Sequence, residues 1–256
     1  MIPGITILPG DCLASMRTLP DCSVDAVVTD PPYGQTSLPW DRFVYGWMAE
    51  IGRILKPTGS VWVFGTLRMF TQHWREFEGW TLAQDIVWEK HNGSSLRSDR
   101  FRRVHEQAAQ FYRGEWGPVY KGMVVTMDAA KRTLSRRTGA RHQHLHGAET
   151  GTSYASEDGG PRIQRSVIYA RSEHGRAVHP TQKPTAIIEP LILNACPPGG
   201  VVLDPFAGSG TTGGCAVRLG RRAILCEGNQ DYLSVMERRI SGIVSETSDL
   251  FARAAE

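Results

Sequence analysis

An apolar run, Val27-Val28-Thr29, ends in Asp30-Pro31-Pro32-Tyr33. Two prolines in succession remove two N–H donors and stiffen the chain. What remains for a ligand is acceptors, the Asp30 carboxylate and the Pro31 carbonyl, beside the flat ring of Tyr33. That set suits a planar base whose amino group donates two hydrogens, as adenine and cytosine do. Accepting both hydrogens pushes the nitrogen towards sp3 character and frees its lone pair to attack an electrophile. In an open α/β sheet, the turn after a buried strand lies at the carboxyl edge, where ligands bind.

A second apolar run, Val201-Val202-Leu203, opens into Asp204-Pro205-Phe206-Ala207-Gly208-Ser209-Gly210-Thr211-Thr212. This is a strand, a glycine turn and a helix start. The glycines let the backbone pass close to a ligand and reach φ > 0 without a Cβ clash. Asp204 stands where it can accept hydrogen bonds from an ammonium group, and Phe206 can pack on a ligand. Glu227 ends the next strand, 17 residues past Gly210, where an acidic side chain holds a ribose diol. Gly213 completes a bare GxGxxG spacing, so spacing alone also admits a dinucleotide. The Asp204 carboxylate would then face a pyrophosphate. S-adenosylmethionine carries an ammonium and a sulfonium and no phosphate, and suits the site better. The two motifs together imply methyl transfer from S-adenosylmethionine to an exocyclic amino group. Such an amine is hidden inside a duplex, so the base must be flipped out first.

The elements that must position these groups alternate. Ile5 to Leu8 reads as a strand, and Asp11 caps a helical run through Met16 and Leu19. Val24 to Thr29 is a strand continuous enough for a parallel sheet. A helix is expected over Val44 to Leu55, strands at 60–64, 85–88 and 108–112, and a helix over Met69 to Phe77. Residues 113–165 show little periodicity. The rhythm returns with a helix from Thr185 to Asn194, a strand at 201–203, a helix from Thr211 to Leu219, a strand at 223–226 and a closing helix from Tyr232 to Ile243. This pattern argues a doubly wound α/β sheet with one insertion.

Composition sets the bounds. The 256 residues are 41% hydrophobic, a globular composition. No apolar stretch approaches the ~20 residues of a membrane span, and the N-terminus has no secretory pattern. Five cysteines lack CxxC spacing and nearby histidines at zinc-ligand intervals, which suggests reduced cytosolic thiols and no metal. The net charge of +3 is unevenly placed: His91 to Arg141 holds 11 Lys and Arg against 4 Asp and Glu. A basic segment on a slightly acidic body is a footprint for a polyanion. Its candidates for DNA contact are Arg97, Arg100, Arg102, Arg103, Arg132, Arg136, Arg137 and Arg141. Most such arginines touch phosphates, and one or two read guanine. His142, His144 and His146 fit phosphates better than zinc.

These motifs occur with others in a fixed order: Gly10-Asp11-Cys12, Asp30 to Tyr33, Trp88-Glu89-Lys90, His105-Glu106, His179-Pro180-Thr181-Gln182-Lys183-Pro184, Asp204 to Thr212, and Glu227 with Tyr232. In that order the chain resembles the β-class amino-methyltransferases of bacterial restriction–modification and orphan systems. The resemblance spans nearly the whole chain and leaves the 113–165 stretch unmatched.

The resemblance implies the class I S-adenosylmethionine-dependent methyltransferase fold in permuted order. Residues 1–112 would form the catalytic half, 113–165 a basic target-recognition insertion, and 166–256 the cofactor-binding half. Asp30 and Pro31 would hold the target amine, with Pro32 stiffening the turn and Tyr33 stacking on the base. Asp11 would sit near the cofactor adenine, and His179, Thr181 and Lys183 would line its methionine end. For Asp11 and Lys183 a helix cap and a surface lysine stand as equal readings. Phe206, Ala207, Gly208, Ser209, Gly210 and Thr211 would form the cofactor loop with Asp204, and Glu227 would take the ribose hydroxyls. An Asp at the start of the tetrapeptide leans to adenine N6; cytosine N4 is the alternative. Further alternatives are a catalytically dead DNA-binding protein and an RNA or protein methyltransferase. The family context also implies double-stranded DNA as partner, a homodimer, a possible cognate restriction endonuclease, and a cytoplasmic setting in a bacterium, on a bacterial or phage gene.

Overall fold

The computed structural model describes residues 2–94, 98–135, 153–173 and 182–254. His179, Thr181, Arg97, Arg136, Arg137, Arg141 and the histidines at 142, 144 and 146 lie outside the described residues. Two compact units emerge: residues 1–122 with 166–256, and residues 123–165.

In the first unit, β1 (Ile5–Pro9), α1 (Cys12–Arg17), β2 (Val24–Thr29), α2 (Trp47–Ile54), β3 (Leu55–Gly65) and α3 (Leu67–Gln72) alternate. A long hairpin of β4 (Thr81–Ser94) and β5 (Arg103–Tyr112) follows. After the second unit come β10 (Val167–Ala170), α4 (Thr185–Ala195), β11 (Val201–Asp204), α5 (Thr211–Arg218), β12 (Arg222–Glu227) and α6 (Gln230–Ala254). Among the described residues, eight strands form one sheet in the order β1-β12-β11-β2-β3-β5-β4-β10. Only β5 breaks the parallel run, pairing antiparallel with both β3 and β4. The mostly parallel α/β expectation holds.

Side-chain alternation splits the core into two layers. Ala26, Val28, Trp62, Phe64 and Trp88 face Ile187, Leu191 and Ile192 of α4, Cys215 of α5 and Met236 of α6. Val27, Val61, Val63 and Phe111 face Met16 of α1, Trp47 and Ile51 of α2 and Met69 of α3. Both faces are covered, so the central strands read as continuous apolar runs rather than alternating ones. Burying one large side chain of this kind contributes roughly 1.5–3 kcal/mol. β2 feeds α2 on one face, while its neighbour β11 feeds α5 on the other. The connections diverge there, and a crevice opens at the carboxyl ends of the two strands.

The helix expected over Met69–Phe77 divides into α3 and a 3-10 turn, Trp74–Phe77. His73 leaves the helix because its ring stacks on Phe43, centroids 3.8 Å apart, and meets Tyr45 Oη at 2.9 Å. The break serves α2: Gly46 has no side chain to cap it, and the Glu76 carboxylate accepts from the Gly46 and Met48 amides instead. Strand β10 also escaped the sequence reading. It is an edge strand with Val167 and Tyr169 exposed, so its apolar residues do not mark a buried face.

The second unit holds β6 (Val125–Thr126) with β9 (Arg162–Ile163), and β7 (Arg132–Ser135) with β8 (Ser153–Ser156), both antiparallel. These strands are too short and polar to show periodicity. Arg162 and Asp128 form an ion pair, and Ala129 and Gly160 close a backbone bond of 3.0 Å. The chain leaves the first unit at Gly122, whose amide bonds Asn194 O at 2.8 Å. It returns at Ser166, whose carbonyl accepts from Val87 N at 2.7 Å. One stem is therefore pinned to α4 and the other to β4.

Candidate active site

The crevice at the ends of β2 and β11 holds two adjoining cavities, of about 600 and 440 Å³. The larger runs along the glycine turn. Asp11, Asp204, Phe206, Ala207, Gly208, Ser209, Thr211 and Glu227 line it, with Tyr232. The smaller lies over Pro31, Tyr33, Gln35, Trp88, Arg103, His105 and Glu106. Asp30, Pro32, Trp40 and Lys183 belong to both walls.

The turn after β11 is held by contacts within the protein. Gly208 and Gly210 take φ of 50° and 72°, a region that costs other residues strain. A Cβ on Gly210 would also lie 2.6 Å from Met236 Cγ, so this glycine packs on α6 and does not line the cavity. Glu227 accepts from Gly208 N at 2.8 Å and from Asn229 N at 2.7 Å, tying the turn to the end of β12. Arg239 of α6 donates to Ser209 O at 2.8 Å and to Thr211 Oγ1 at 3.0 Å, bracing the turn from outside. Gly213 is a packing glycine, since a Cβ there would sit 2.6 Å from Leu225 Cδ1. Asp11 caps α1, accepting from Ala14 N at 2.9 Å, and lines the cavity as well. Asp204 accepts from Thr29 Oγ1 at 2.7 Å and Phe206 N at 3.1 Å; its burial pushes the carboxyl up to about 6.

Cavity chemistry tests the cofactor. Its size lies within the ~300–1,000 Å³ of small-molecule sites. Among the described lining residues stand four carboxylates (Asp11, Asp30, Asp204, Glu227) and one cation, Lys183, already paired with Asp30. A diphosphate would meet carboxylates with no arginine to offset them. A ligand with an ammonium and a sulfonium is matched, so the residues fit S-adenosylmethionine.

At the shared wall, Asp30 is held on both sides. Tyr33 Oη donates to Oδ1, and Lys183 Nζ donates to Oδ2. Lys183 lies buried, 5.2 Å from the centroid of the Phe64 ring, and also meets Glu106 Oε2 at 3.3 Å. Glu106 is paired in turn with Lys90, whose ammonium sits 4.7 Å from the centre of the Trp88 ring. Burial pushes the Asp30 carboxyl above its ordinary range; Lys183 opposes that push and Glu106 adds to it. Burial works against the Lys183 ammonium, yet the two carboxylates outweigh it and its pKa rises. Burial likewise opposes a charged Glu106, but Lys183 and Lys90 draw it down to about 2.

The stretch after Tyr33 is fixed by a residue the sequence reading passed over. Asp41, almost wholly buried, accepts from the amides of Gly34, Gln35 and Thr36 at 2.8, 2.9 and 2.6 Å. Those bonds hold its carboxyl below the usual range despite burial. Trp40 thereby stands beside both cavities. Glu106, Lys90, Thr29 and Arg239 were also missed as site residues. The available signal was a charged residue on the core-facing side of a strand, as Glu106 is on β5. Of the described arginines, Arg103 borders the smaller cavity. Arg100 and Arg102 are exposed beside the fully exposed Phe101, and Arg132 lies in the second unit.

A DNA methylase family model, N6_N4_Mtase, matches residues 24–238. The type II methyltransferase M.HinfI of Haemophilus influenzae is 30% identical over 275 residues, covering 96% of this chain and 70% of its own length. The crystal structure of the M1.HpyAVI–SAM complex has a TM-score of 0.63 at 24% identity, covering 92% of this chain and 98% of that one. PvuII DNA methyltransferase, described as cytosine-N4-specific, also scores 0.63, at 19% identity, covering 96% and 94%. These two structures share the fold.

Proposed function

The chain belongs to the N6/N4 DNA methylase family, and from that premise we propose that it methylates the exocyclic N6 of an adenine flipped out of double-stranded DNA, with S-adenosylmethionine as methyl donor. The observation that carries this reading is the shared wall. A cavity fitted to a cationic, phosphate-free ligand meets a cavity for a planar base at one carboxylate, Asp30.

Bound S-adenosylmethionine supplies a methyl group on a positively charged sulfur, an excellent leaving group. The protein's task is therefore positioning, which accounts for ~7–11 kcal/mol in well-oriented systems. Asp30 accepts hydrogens of the target amine; a carboxylate offers about four lone-pair sites, so Tyr33 and Lys183 leave room. The bond from its hydroxyl to Asp30 fixes the Tyr33 ring as a stacking face. Phe206 and the glycine turn hold the donor, with Asp11 and Glu227 at its nucleoside end and Lys183 at its methionine end. The fixed acceptors keep the amine lone pair aimed at the methyl group. The amine proton released by the transfer passes to Asp30 or on to water.

Residues 1–112 and 166–256 make up the catalytic and cofactor halves in this reading, and 113–165 selects the DNA sequence. The eight arginines bind phosphate and, at one or two positions, guanine. In this reading the enzyme works in the cytoplasm as a homodimer. Cytosine N4 is the second reading, because the same acceptors serve either amine. Expression in a host without DNA methyltransferases, followed by sequencing that reports modified bases, tests both. N6-methyladenine at one short motif supports the first, N4-methylcytosine the second, and unmodified DNA neither.

A further inference from the structure

Glu106 has no part in the mechanism above. In the β4–β5 ladder it lies directly across from Trp88, and Lys90 is its diagonal neighbour on the same face. The result is a row of alternating charge: Lys90, Glu106, Lys183, Asp30. Glu106 Oε2 is shut off from solvent and directed at Lys183. Formal charges in the row cancel, which is what lets four ionic groups share a buried place.

A lysine ammonium is a point charge on a flexible four-carbon stem. Anchored by Asp30 alone, Lys183 could approach either oxygen and bind it with its full charge. Anchored by Glu106 as well, it approaches from one side and divides its charge between two carboxylates. Its approach then leaves Oδ1 to Tyr33 and fixes the plane of the Asp30 carboxylate.

We propose that Glu106 is a positioning residue for methyl transfer: it restrains the Lys183 ammonium against Asp30 Oδ2 and so sets the orientation and charge of the carboxylate that receives the target amine. The inference rests on the methyltransferase reading. The competing account is a cross-strand ion pair that only stabilises the β4–β5 hairpin.

The test titrates Asp30 by carboxyl NMR in 13C-aspartate-labelled full-length protein, with Glu106→Gln and Lys183→Met beside the wild type. Lys183, Glu106, Tyr33 and Asp204 face Asp30, with Lys90 behind Glu106. Glu106→Gln removes a like charge and leaves Lys183 to Asp30 alone, so the Asp30 midpoint moves down. Lys183→Met removes the counter-charge, so the midpoint moves up. Labelled methyl transfer to unmethylated genomic DNA is measured alongside. Glu106→Gln lowers kcat about tenfold or more, within the ~10²-fold that a misplaced group can cost, and cofactor affinity falls far less than kcat, because Glu106 lies outside that cavity and only its partner Lys183 borders it. An unmoved Asp30 midpoint, or a Glu106→Gln kcat equal to wild type, overturns the inference while wild-type transfer stands. Wild-type protein that transfers no label overturns the methyltransferase reading itself, and the inference with it.

Discussion

Thr29 donates its hydroxyl to Asp204 over 2.7 Å, joining the last residue of β2 to the last residue of β11. The Asp30–Tyr33 turn leaves from one of these residues and the glycine turn from the other. This buried hydrogen bond adds a side-chain link to the β2–β11 ladder at the point where the two turns leave it. Thr29→Val keeps the shape and removes the donor. It should cost roughly 0.5–1.5 kcal/mol of stability, the net contribution of one hydrogen bond, since Asp204 keeps the Phe206 amide. Cofactor affinity and turnover should fall together. Thermal unfolding, calorimetry and methyl transfer on one preparation check this, and turnover at the wild-type level would show that the bond does not register the halves.

Asp204 makes stability depend on pH. Its folded-state pKa of about 6 stands above the unfolded value of 3.8. The native state therefore holds a proton that the unfolded chain releases first. The stabilisation is complete below about pH 4 and is lost as pH rises to about 6, in total on the order of 2–3 kcal/mol. Asp204→Asn keeps an acceptor for Thr29 and removes the titration. Melting temperature measured from pH 4 to 7 should fall less steeply in the variant than in the wild type; parallel curves would refute the assignment.

Asp30→Ala should abolish methylation and leave cofactor binding largely intact, because Asp11, Asp204 and Glu227 still line the cofactor cavity when Asp30 is removed from the wall the two cavities share. Equal losses of affinity and turnover would move Asp30 to the cofactor's side.

Glu227→Ala releases the Gly208 and Asn229 amides. Hydrogen bonds to a charged group contribute about 1.5–3 kcal/mol each, so cofactor affinity should drop ~10-fold or more. Turnover at saturating cofactor should change far less, since the base cavity does not include Glu227. Calorimetry against steady-state kinetics separates the two.

Arg100→Ala with Arg102→Ala should flatten the salt dependence of DNA binding. Each lost phosphate contact reduces the slope of log K against log salt by about 1. Fluorescence anisotropy on a duplex between 50 and 200 mM salt reads it, and an unchanged slope would remove this loop from the DNA contact.

Both motif clusters were legible in the sequence because each is local. Four consecutive residues make the turn after β2, and one strand–glycine–helix unit makes the turn after β11. The central strands were legible because parallel burial on both faces leaves unbroken apolar runs. What sequence could not show are partners brought together over distance. Lys183 reaches Asp30 across 153 positions, and Thr29 reaches Asp204 across 175. Lys183 read equally well as a surface lysine, yet it is buried between two carboxylates. The split of the helix expected over 69–77 follows from a ring stack with Phe43 that no local propensity encodes.

The stems at Gly122 and Ser166 carry a consequence for descent. Each is bonded to the frame through its own backbone, at Asn194 and Val87, so neither anchor depends on which side chains lie between them. No described residue of 123–165 lines either cavity. With that unit selecting the DNA sequence, as proposed above, its exchange between the two stems would change the word that is marked while the chemistry is inherited unchanged.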